Sequence, residues 1–218
     1  MEGKKVAAIV PAFNEEKTIK GVVEALLETK NISEVIVVDD GSLDQTSKIA
    51  KEAGARVIKL KENKGKGTAL EIGTRSTDAE IFLFSDADLL GIKSFHFERL
   101  LFPVLESEVD MTIGTIDRRN FGKVWAWLLL KVESPFAGTR VLKREFWESV
   151  PEEFKKEYFV ESALTYFAKK RNLKIKNFIL EGVFHLIKER KYGFSLGVIA
   201  RTKMFFQIII ANILLRLP

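Results

Sequence analysis

The sequence contains no cysteine and only two histidines in 218 residues. Without cysteine the chain can form neither a disulfide framework nor a thiolate zinc site, and this composition is typical of a reducing compartment. The first residues, M-E-G-K-K-V-A-A-I-V-P, contain too short an apolar stretch for a secretory signal peptide. We therefore expect a cytoplasmic protein.

Other signals are also missing. No internal repeat, low-complexity tract or linker rich in proline or serine divides the chain. No G-x-G-x-x-G follows the first apolar run, which argues against a nicotinamide-dependent dehydrogenase. The apolar run near the carboxyl terminus, M-F-F-Q-I-I-I-A-N-I-L-L-R-L-P, falls short of the roughly 20 residues of a transmembrane helix.

The net charge of +5 is confined to one part of the chain. Between residues 185 and 218 six basic residues accompany a single acidic residue, Glu189, whereas acids and bases balance in the rest. A protein that binds nucleic acid would distribute its positive charge differently, so we expect no nucleic-acid partner. We predict one folded domain at 1–188 and a basic, apolar helical tail at 189–218.

Short apolar runs alternate with helical patterns in the first 90 residues. The runs predict strands near 5–10, 34–38, 55–60 and 80–84. Apolar spacing predicts helices near 18–27 and 68–75, and a third that contains Ile49 and that Asp44 caps. This alternation is typical of an α/β fold, a mostly parallel sheet with helices on both faces. Later patterns predict helices near 95–105 and 158–170, strands near 110–113 and 173–180, and a strand that turns into a helix at 137–146.

Each of the four predicted strands ends in a polar cluster. Because ligands of a parallel sheet bind beyond the carboxyl ends of its strands, we expect these clusters to line one crevice. Asp86 and Asp88 lie two apart on one strand, so both carboxylates can bind the same divalent cation. Glycine-rich loops that carry lysine, such as N-K-G-K-G, approach phosphate oxygens closely. Together these features predict an enzyme whose reaction releases a diphosphate group as the leaving group.

Four strings carry a family resemblance: V-P-A-F-N-E-E-K-T-I, V-V-D-D-G-S-L-D-Q-T, N-K-G-K-G-T-A-L-E-I-G and S-D-A-D-L. In order and spacing they resemble family 2 glycosyltransferases, and among these the polyprenyl-phosphate sugar synthases and phosphoglycerate-type enzymes. The resemblance implies a Rossmann-like GT-A fold, a nucleotide-sugar donor and a divalent cation, Mg²⁺ or Mn²⁺. A degenerate, non-catalytic binding or scaffold protein with the same fold is the alternative.

The resemblance also implies roles for individual residues. Asp39 would contact the base, Lys66 the base or phosphate, and Asp86 and Asp88 the metal. The complete set of donor-site residues that it implies is Pro11, Phe13, Glu15, Asp39, Lys66, Asp86 and Ala87. Taken alone, Asn14 to Glu16 is more typical of a helix cap with acidic residues in the first turn.

The metal site departs from the family pattern at one position. Where polyprenyl-phosphate mannose synthases have a glutamine ligand, this chain has Leu90. The resemblance makes His185, in E-G-V-F-H, the candidate replacement, and imidazole suits Mn²⁺ better than Mg²⁺. A single histidine after an apolar run is also typical of a structural residue. We interpret the other histidine, His96, as structural.

The acceptor side leaves two alternatives open. Glu161 stands near the start of a predicted helix, where inverting relatives place a carboxylate base that acts on an acceptor hydroxyl. If the acceptor is a phosphate, no base is needed, and Arg118, Arg119 and Arg140 would bind it instead, because guanidinium groups bind phosphate with two hydrogen bonds. We therefore expect a lipid-linked or phosphorylated acceptor, with Asp88, Glu161 and Arg140 as the catalytic candidates.

The tail has two interpretations as well. Basic residues precede its apolar run, which is typical of a helix that lies on an anionic membrane surface. This interpretation predicts an enzyme bound to the inner face of the cell membrane. Alternatively, the tail packs on the domain or on a second subunit, which would make the protein a homodimer.

Overall fold

The computed structural model describes residues 4–116, 138–155 and 159–185. The strands are β1 (Val6–Ala12), β2 (Glu34–Asp39), β3 (Arg56–Lys59), β4 (Ile81–Phe84), β5 (Leu89–Leu90), β6 (Met111–Ile116), β7 (Thr139–Lys143), β8 (Ile175–Leu180) and β9 (Phe184–His185). The helices are α1 (Ile19–Leu27), α2 (Thr46–Glu52), α3 (Lys66–Arg75), α4 (Ser94–Leu105), α5 (Arg144–Ser149) and α6 (Phe159–Lys170), with a 3₁₀ turn at Glu152–Lys155.

Seven of these strands form one mixed sheet in the order β3-β2-β1-β4-β7-β6-β8. Strands β1 to β4 are mutually parallel, β7 runs antiparallel to both β4 and β6, and β6 pairs with β8 in parallel. The predicted α/β fold with a mostly parallel sheet is confirmed. The reversed direction of β7 matters for function, because its first residues lie at the edge where β1 and β4 end.

Helices cover both faces of the sheet. On one face, α1 and α4 pack against Val6, Ala8 and Val10 of β1. On the other face, α3, α5 and α6 pack against Ile9 of β1 and Phe82 of β4, and α5 contributes Trp147 to this second cluster. Alternate residues of β1 and β4 therefore pack into the cores on opposite faces of the sheet, which explains why these strands are continuous apolar runs.

The predicted elements occur with small shifts at their ends. Helix α2 begins at Thr46 with Gln45 as its N-cap, although the Asp44 carboxylate accepts a hydrogen bond from the Thr46 N–H at 3.0 Å. The pairing of β5 with β9 has no counterpart among the predicted strands. Among the described residues no helix is long and apolar enough to cross a bilayer. The predicted tail at 189–218 lies outside the described residues.

Candidate active site

The carboxyl ends of β1 to β4 and the amino end of β7 meet at one edge of the sheet. Phe84, the last residue of β4, pairs with Arg140 of β7. Continuing this antiparallel register places Asp86 opposite Gly138. The site is therefore built where four parallel strands end and one antiparallel strand begins, which is where helix N-termini and loops converge on a ligand.

The loop after β1 is joined to the loop after β2 by reciprocal hydrogen bonds. The backbone N–H groups of Asn14, Glu15 and Glu16 donate to Ser42 Oγ, Thr46 Oγ1 and Asp44 Oδ2 at 2.9, 2.8 and 3.2 Å. In return, Asn14 Oδ1 accepts from the Leu43 N–H at 2.9 Å and Glu16 Oε2 accepts from the Gln45 N–H at 3.2 Å.

These hydrogen bonds place Asn14 to Glu16 in the pair of loops and not at the start of α1. The helix-cap interpretation of Asn14 to Glu16 is wrong, because α1 begins at Ile19 with Thr18 as its N-cap and no side-chain capping bond. Asn14 adopts a φ of 54°, which Asn tolerates better than most residues. Of the residues predicted to bind the donor, Pro11, Phe13 and Glu15 are each partly exposed in or beside this pair of loops.

Two adjacent carboxylates after β2 are held mainly by neighbouring loops. Asp39 is fully buried, and it accepts hydrogen bonds from the Ser42 N–H at 2.7 Å and from the Ser47 hydroxyl, with Lys59 Nζ 3.8 Å away. Asp40 accepts from the N–H groups of Lys64 and Gly65 at 2.7 and 2.9 Å. Burial raises the pKa of Asp40 and outweighs the opposing effect of these two bonds. Asp40 thereby fixes the loop that leads into α3.

Lys66, the first residue of α3, lies between two carboxylates. Its Nζ is 2.5 Å from Asp86 Oδ1 and 2.5 Å from Glu161 Oε1. Burial would lower the pKa of Lys66, but the charges and hydrogen bonds of the two carboxylates outweigh it and raise the pKa. Lys66 therefore carries a full positive charge and joins the loop before α3, the loop after β4 and the start of α6.

Glu161 and Arg140 complete this charged cluster. Burial raises the pKa of Glu161, and Asp86 adds to the rise, while Lys66 and Arg140 oppose it. Arg140 has no exposed surface, and burial lowers its pKa to about 10 against the opposing charges of Glu161 and Asp86. Its Nη1 donates to Thr165 Oγ1 of α6 at 2.9 Å. With a pKa of about 10, Arg140 stays protonated at neutral pH.

Asp86, Asp88 and His185 form a neighbouring group that shares Asp86 with this cluster. One potential ligand atom from each of them lies within 4.8 Å of the other two. His185 Nδ1 is 2.8 Å from Asp88 Oδ1. Burial lowers the pKa of His185, but the hydrogen bond and the charge of Asp88, helped by Asp86, raise it overall. Two carboxylates and one imidazole within this distance fit a small divalent cation, with Mn²⁺ favoured by the nitrogen ligand.

The pairing of β5 with β9 explains how His185 reaches this place. Leu89 pairs with His185 and Leu90 with Phe184. Leu90 thus takes part in the ladder that brings the histidine to Asp88. Ala87, predicted to contact the donor, is buried between the two aspartates.

The structure also contains site residues that the sequence patterns do not predict. A β-carbon on Gly138 would collide with both carboxylate oxygens of Asp86, so that side chain would have to shift for any residue other than glycine. The string A-G-T-R, a glycine just before a strand, carries the signal, but strand-flanking glycines are common. Ser47 and Thr165 are further additions, since they bind Asp39 and Arg140. Arg118 and Arg119 lie outside the described residues, so their predicted contact with the acceptor stays a prediction.

Comparison with known proteins gives a consistent picture. The model of the family described as Glycosyl transferase family 2 matches residues 7–193. The protein MJ1222 of Methanocaldococcus jannaschii is 31% identical over an alignment of 235 residues, which covers 96% of this chain and 93% of that protein. This similarity therefore extends over nearly the whole of both chains.

Other relatives have names that state an activity. Glucosyl-3-phosphoglycerate synthase of Mycobacterium tuberculosis is 32% identical over 126 residues, 54% of this chain and 39% of that enzyme. Human dolichyl-phosphate beta-glucosyltransferase is 44% identical over 101 residues, 39% of this chain and 31% of that enzyme. The matched segments thus cover only about a third of the length of these two relatives.

Solved structures of the mycobacterial synthase share the fold. Its complex with Mn²⁺, uridine-diphosphate-glucose and phosphoglyceric acid matches with a TM-score of 0.71 and 27% identity, covering 84% of this chain and 72% of that one. Its complex with Mn²⁺, uridine-diphosphate and glucosyl-3-phosphoglycerate matches with a TM-score of 0.79 and 25% identity, covering 98% and 80%.

Proposed function

This chain belongs to glycosyltransferase family 2, and we propose that it transfers a sugar from a nucleoside diphosphate sugar to an acceptor that carries a phosphate group, with a divalent cation bound at Asp86, Asp88 and His185. The observation that carries the proposal is the convergence of these three residues at the carboxyl edge of the sheet, beside Lys66, Glu161 and Arg140. Relatives whose names specify a phosphoglycerate or a dolichyl-phosphate acceptor support the acceptor class.

Each group of the site has a task in this reaction. Bound at Asp86 and Asp88, the cation would neutralise charge on the departing diphosphate. Lys66 holds Asp86 and Glu161 at fixed positions and adds a positive charge beside the same diphosphate. The loops after β1 and β2 are joined by hydrogen bonds, and together they would form the surface that binds the nucleoside.

On the acceptor side, Glu161 and Arg140 have complementary roles. A carboxylate whose pKa is raised by burial is better matched to accepting a proton from an acceptor hydroxyl near neutral pH. The guanidinium of Arg140 is fully buried, so it would favour an acceptor phosphate through its positive charge beside Glu161 and not through direct contact. Transfer to a hydroxyl would use both residues, whereas transfer to a phosphate oxygen would use Arg140 alone.

Calorimetry with UDP tests the proposal. We expect wild-type protein to bind UDP in the presence of Mn²⁺ and to lose most of this affinity after chelation. Asp88→Asn should weaken Mn²⁺-dependent binding by at least about 10-fold, because it removes the charge of one ligand. Asp78→Asn is the matched control, since Asp78 precedes β4 at the opposite edge of the sheet and pairs with Lys5. UDP affinity that is unaffected by chelation or by Asp88→Asn would refute the metal-dependent site, and absence of any nucleotide binding would favour a scaffold protein.

We also propose that residues 189–218 attach the enzyme peripherally to the cytoplasmic face of a membrane. Support comes from the basic residues that precede the apolar run in this segment. Co-sedimentation of the full chain with vesicles tests it, and we expect binding to anionic vesicles and little binding to neutral ones. A concentration-dependent dimer that binds neither kind of vesicle would instead assign the tail to a subunit interface.

A further inference from the structure

His185 depends on a short and weak piece of sheet for its position. Strands β5 and β9 have two residues each, and the two paired residues of β9 are Phe184 and His185. Isolated two-stranded ribbons are marginally stable in water even when longer than this. Other contacts must therefore hold the segment 181–185 against the residues that follow Asp88.

One such contact is a close approach of two backbones. Gly91 has a φ of 77°, and a β-carbon on it would collide with the carbonyl oxygen of Gly182. Gly182 also has a positive φ, of 72°. The turn that precedes β9 thus lies directly against the turn that follows β5, at a distance only glycine permits.

The second contact is made by His96, near the start of α4. Its side chain is buried, with 2% of the residue exposed. Nδ1 accepts a hydrogen bond from the Lys93 N–H at 3.0 Å, so this nitrogen carries no proton. The proton is therefore on Nε2, which donates to the Glu181 carbonyl oxygen at 3.0 Å. Neutral His96 uses both ring nitrogens, one on the helix terminus and one on the turn that leads to His185.

We propose that His96 is a positioning residue for the metal site: through Glu181 it holds the 181–185 segment so that His185 faces Asp88. This inference rests on the proposed function only in naming a cation as the ligand of His185. The 2.8 Å contact between His185 and Asp88 needs the same support whether or not a cation binds. A purely structural role would require only that the ring caps α4 and fills its place in the core.

Two substitutions separate the two hydrogen bonds of His96. In His96→Asn the amide oxygen replaces Nδ1, so the bond from Lys93 is kept and the bond to Glu181 is lost. In His96→Gln the amide nitrogen replaces Nε2, so the bond to Glu181 is kept and the bond from Lys93 is lost. The positioning role predicts that only the asparagine variant disturbs His185.

The first measurement needs neither metal nor nucleotide. The chain has two histidines, so both variants retain His185 alone, and its imidazole resonances are assigned without ambiguity by NMR. We expect the His185 resonances of His96→Gln to match the wild type and those of His96→Asn to shift or broaden. Gly91→Ala is a second variant that should produce the same shift while both ring nitrogens of His96 remain in place.

The second measurement is the affinity for Mn²⁺ in the presence of UDP. We expect His96→Asn to weaken it by about 10- to 100-fold, as for other groups that orient a metal ligand, and His96→Gln to stay within about 2-fold of wild type. Equal effects of the two variants on the His185 resonances would overturn the inference. If the resonances separate the variants but wild-type protein binds no Mn²⁺ with UDP, the proposed function fails and the positioning role stands.

Discussion

The two parts of the site hold their charged groups in different ways. At the end of β2, Asp39 and Asp40 accept hydrogen bonds chiefly from backbone N–H groups of loops and from the Ser47 hydroxyl of α2. In the cluster of Lys66, Asp86, Glu161 and Arg140, charged side chains hold one another.

This difference has an energetic consequence. A carboxylate that binds backbone groups keeps its partners as long as the loops are folded. A buried charge that is paired with another side chain loses its compensation when that one side chain is removed, which costs several kcal/mol. Single substitutions should therefore do more damage in the Lys66 cluster than in the loops after β1 and β2.

Lys66→Met should produce the largest effect. The substitution keeps the apolar stem but leaves Asp86 and Glu161 close together without their shared cation, and we expect a loss of about 3 kcal/mol in the free energy of unfolding, the lower end of the range for broken buried pairs. Urea unfolding of both proteins measures it.

Lys64→Met is the matched control for that substitution. Lys64 lies in the loop just before Lys66, its side chain is exposed, and its backbone N–H donates to Asp40. We expect its free energy of unfolding to stay within about 0.5 kcal/mol of wild type. Equal stabilities of the two variants would show that the cluster is not the more fragile part of the site.

The same difference explains what could be predicted from the sequence. The residues held by loops lie in contiguous strings that follow apolar runs, so the strings alone place Pro11 to Glu15, Asp39 and Asp40 at the ends of strands. The alternation of strands and helices predicted β1 to β4 and α1 to α4 with shifts of a few residues, because these elements have strong periodicity.

The residues outside those strings could be predicted only one at a time, because no continuous motif contains them. Glu161, Arg140 and His185 lie far apart in the sequence, and the reversed direction of β7 and the β5–β9 pair bring them together. Strands β5 and β9 have two residues each, which is too short for a periodic sequence signal. The direction of β7 likewise has no periodic signal. The role of Gly138 depends on a contact across the sheet with Asp86, and the local sequence does not encode that contact.

Gly138→Ala should have a smaller effect on stability than Lys66→Met. The added methyl group would displace the Asp86 carboxylate without removing any charge, so the Lys66 cluster keeps all its members. We expect Mn²⁺-dependent UDP affinity to fall by about 10- to 100-fold, with a small change in the midpoint of thermal unfolding.

Gly21→Ala is the control for Gly138→Ala, because a β-carbon on Gly21 lies more than 4 Å from other side chains in the described part of the chain. Gly21 lies inside α1, where alanine should raise stability by about 0.5–1 kcal/mol and leave UDP affinity unchanged. If Gly138→Ala binds Mn²⁺ and UDP as the wild type does, Asp86 tolerates displacement. Ligand binding would then depend no more on the exact positions of the paired side chains than on those of the loops. The two parts of the site would differ only in how much a substitution lowers stability.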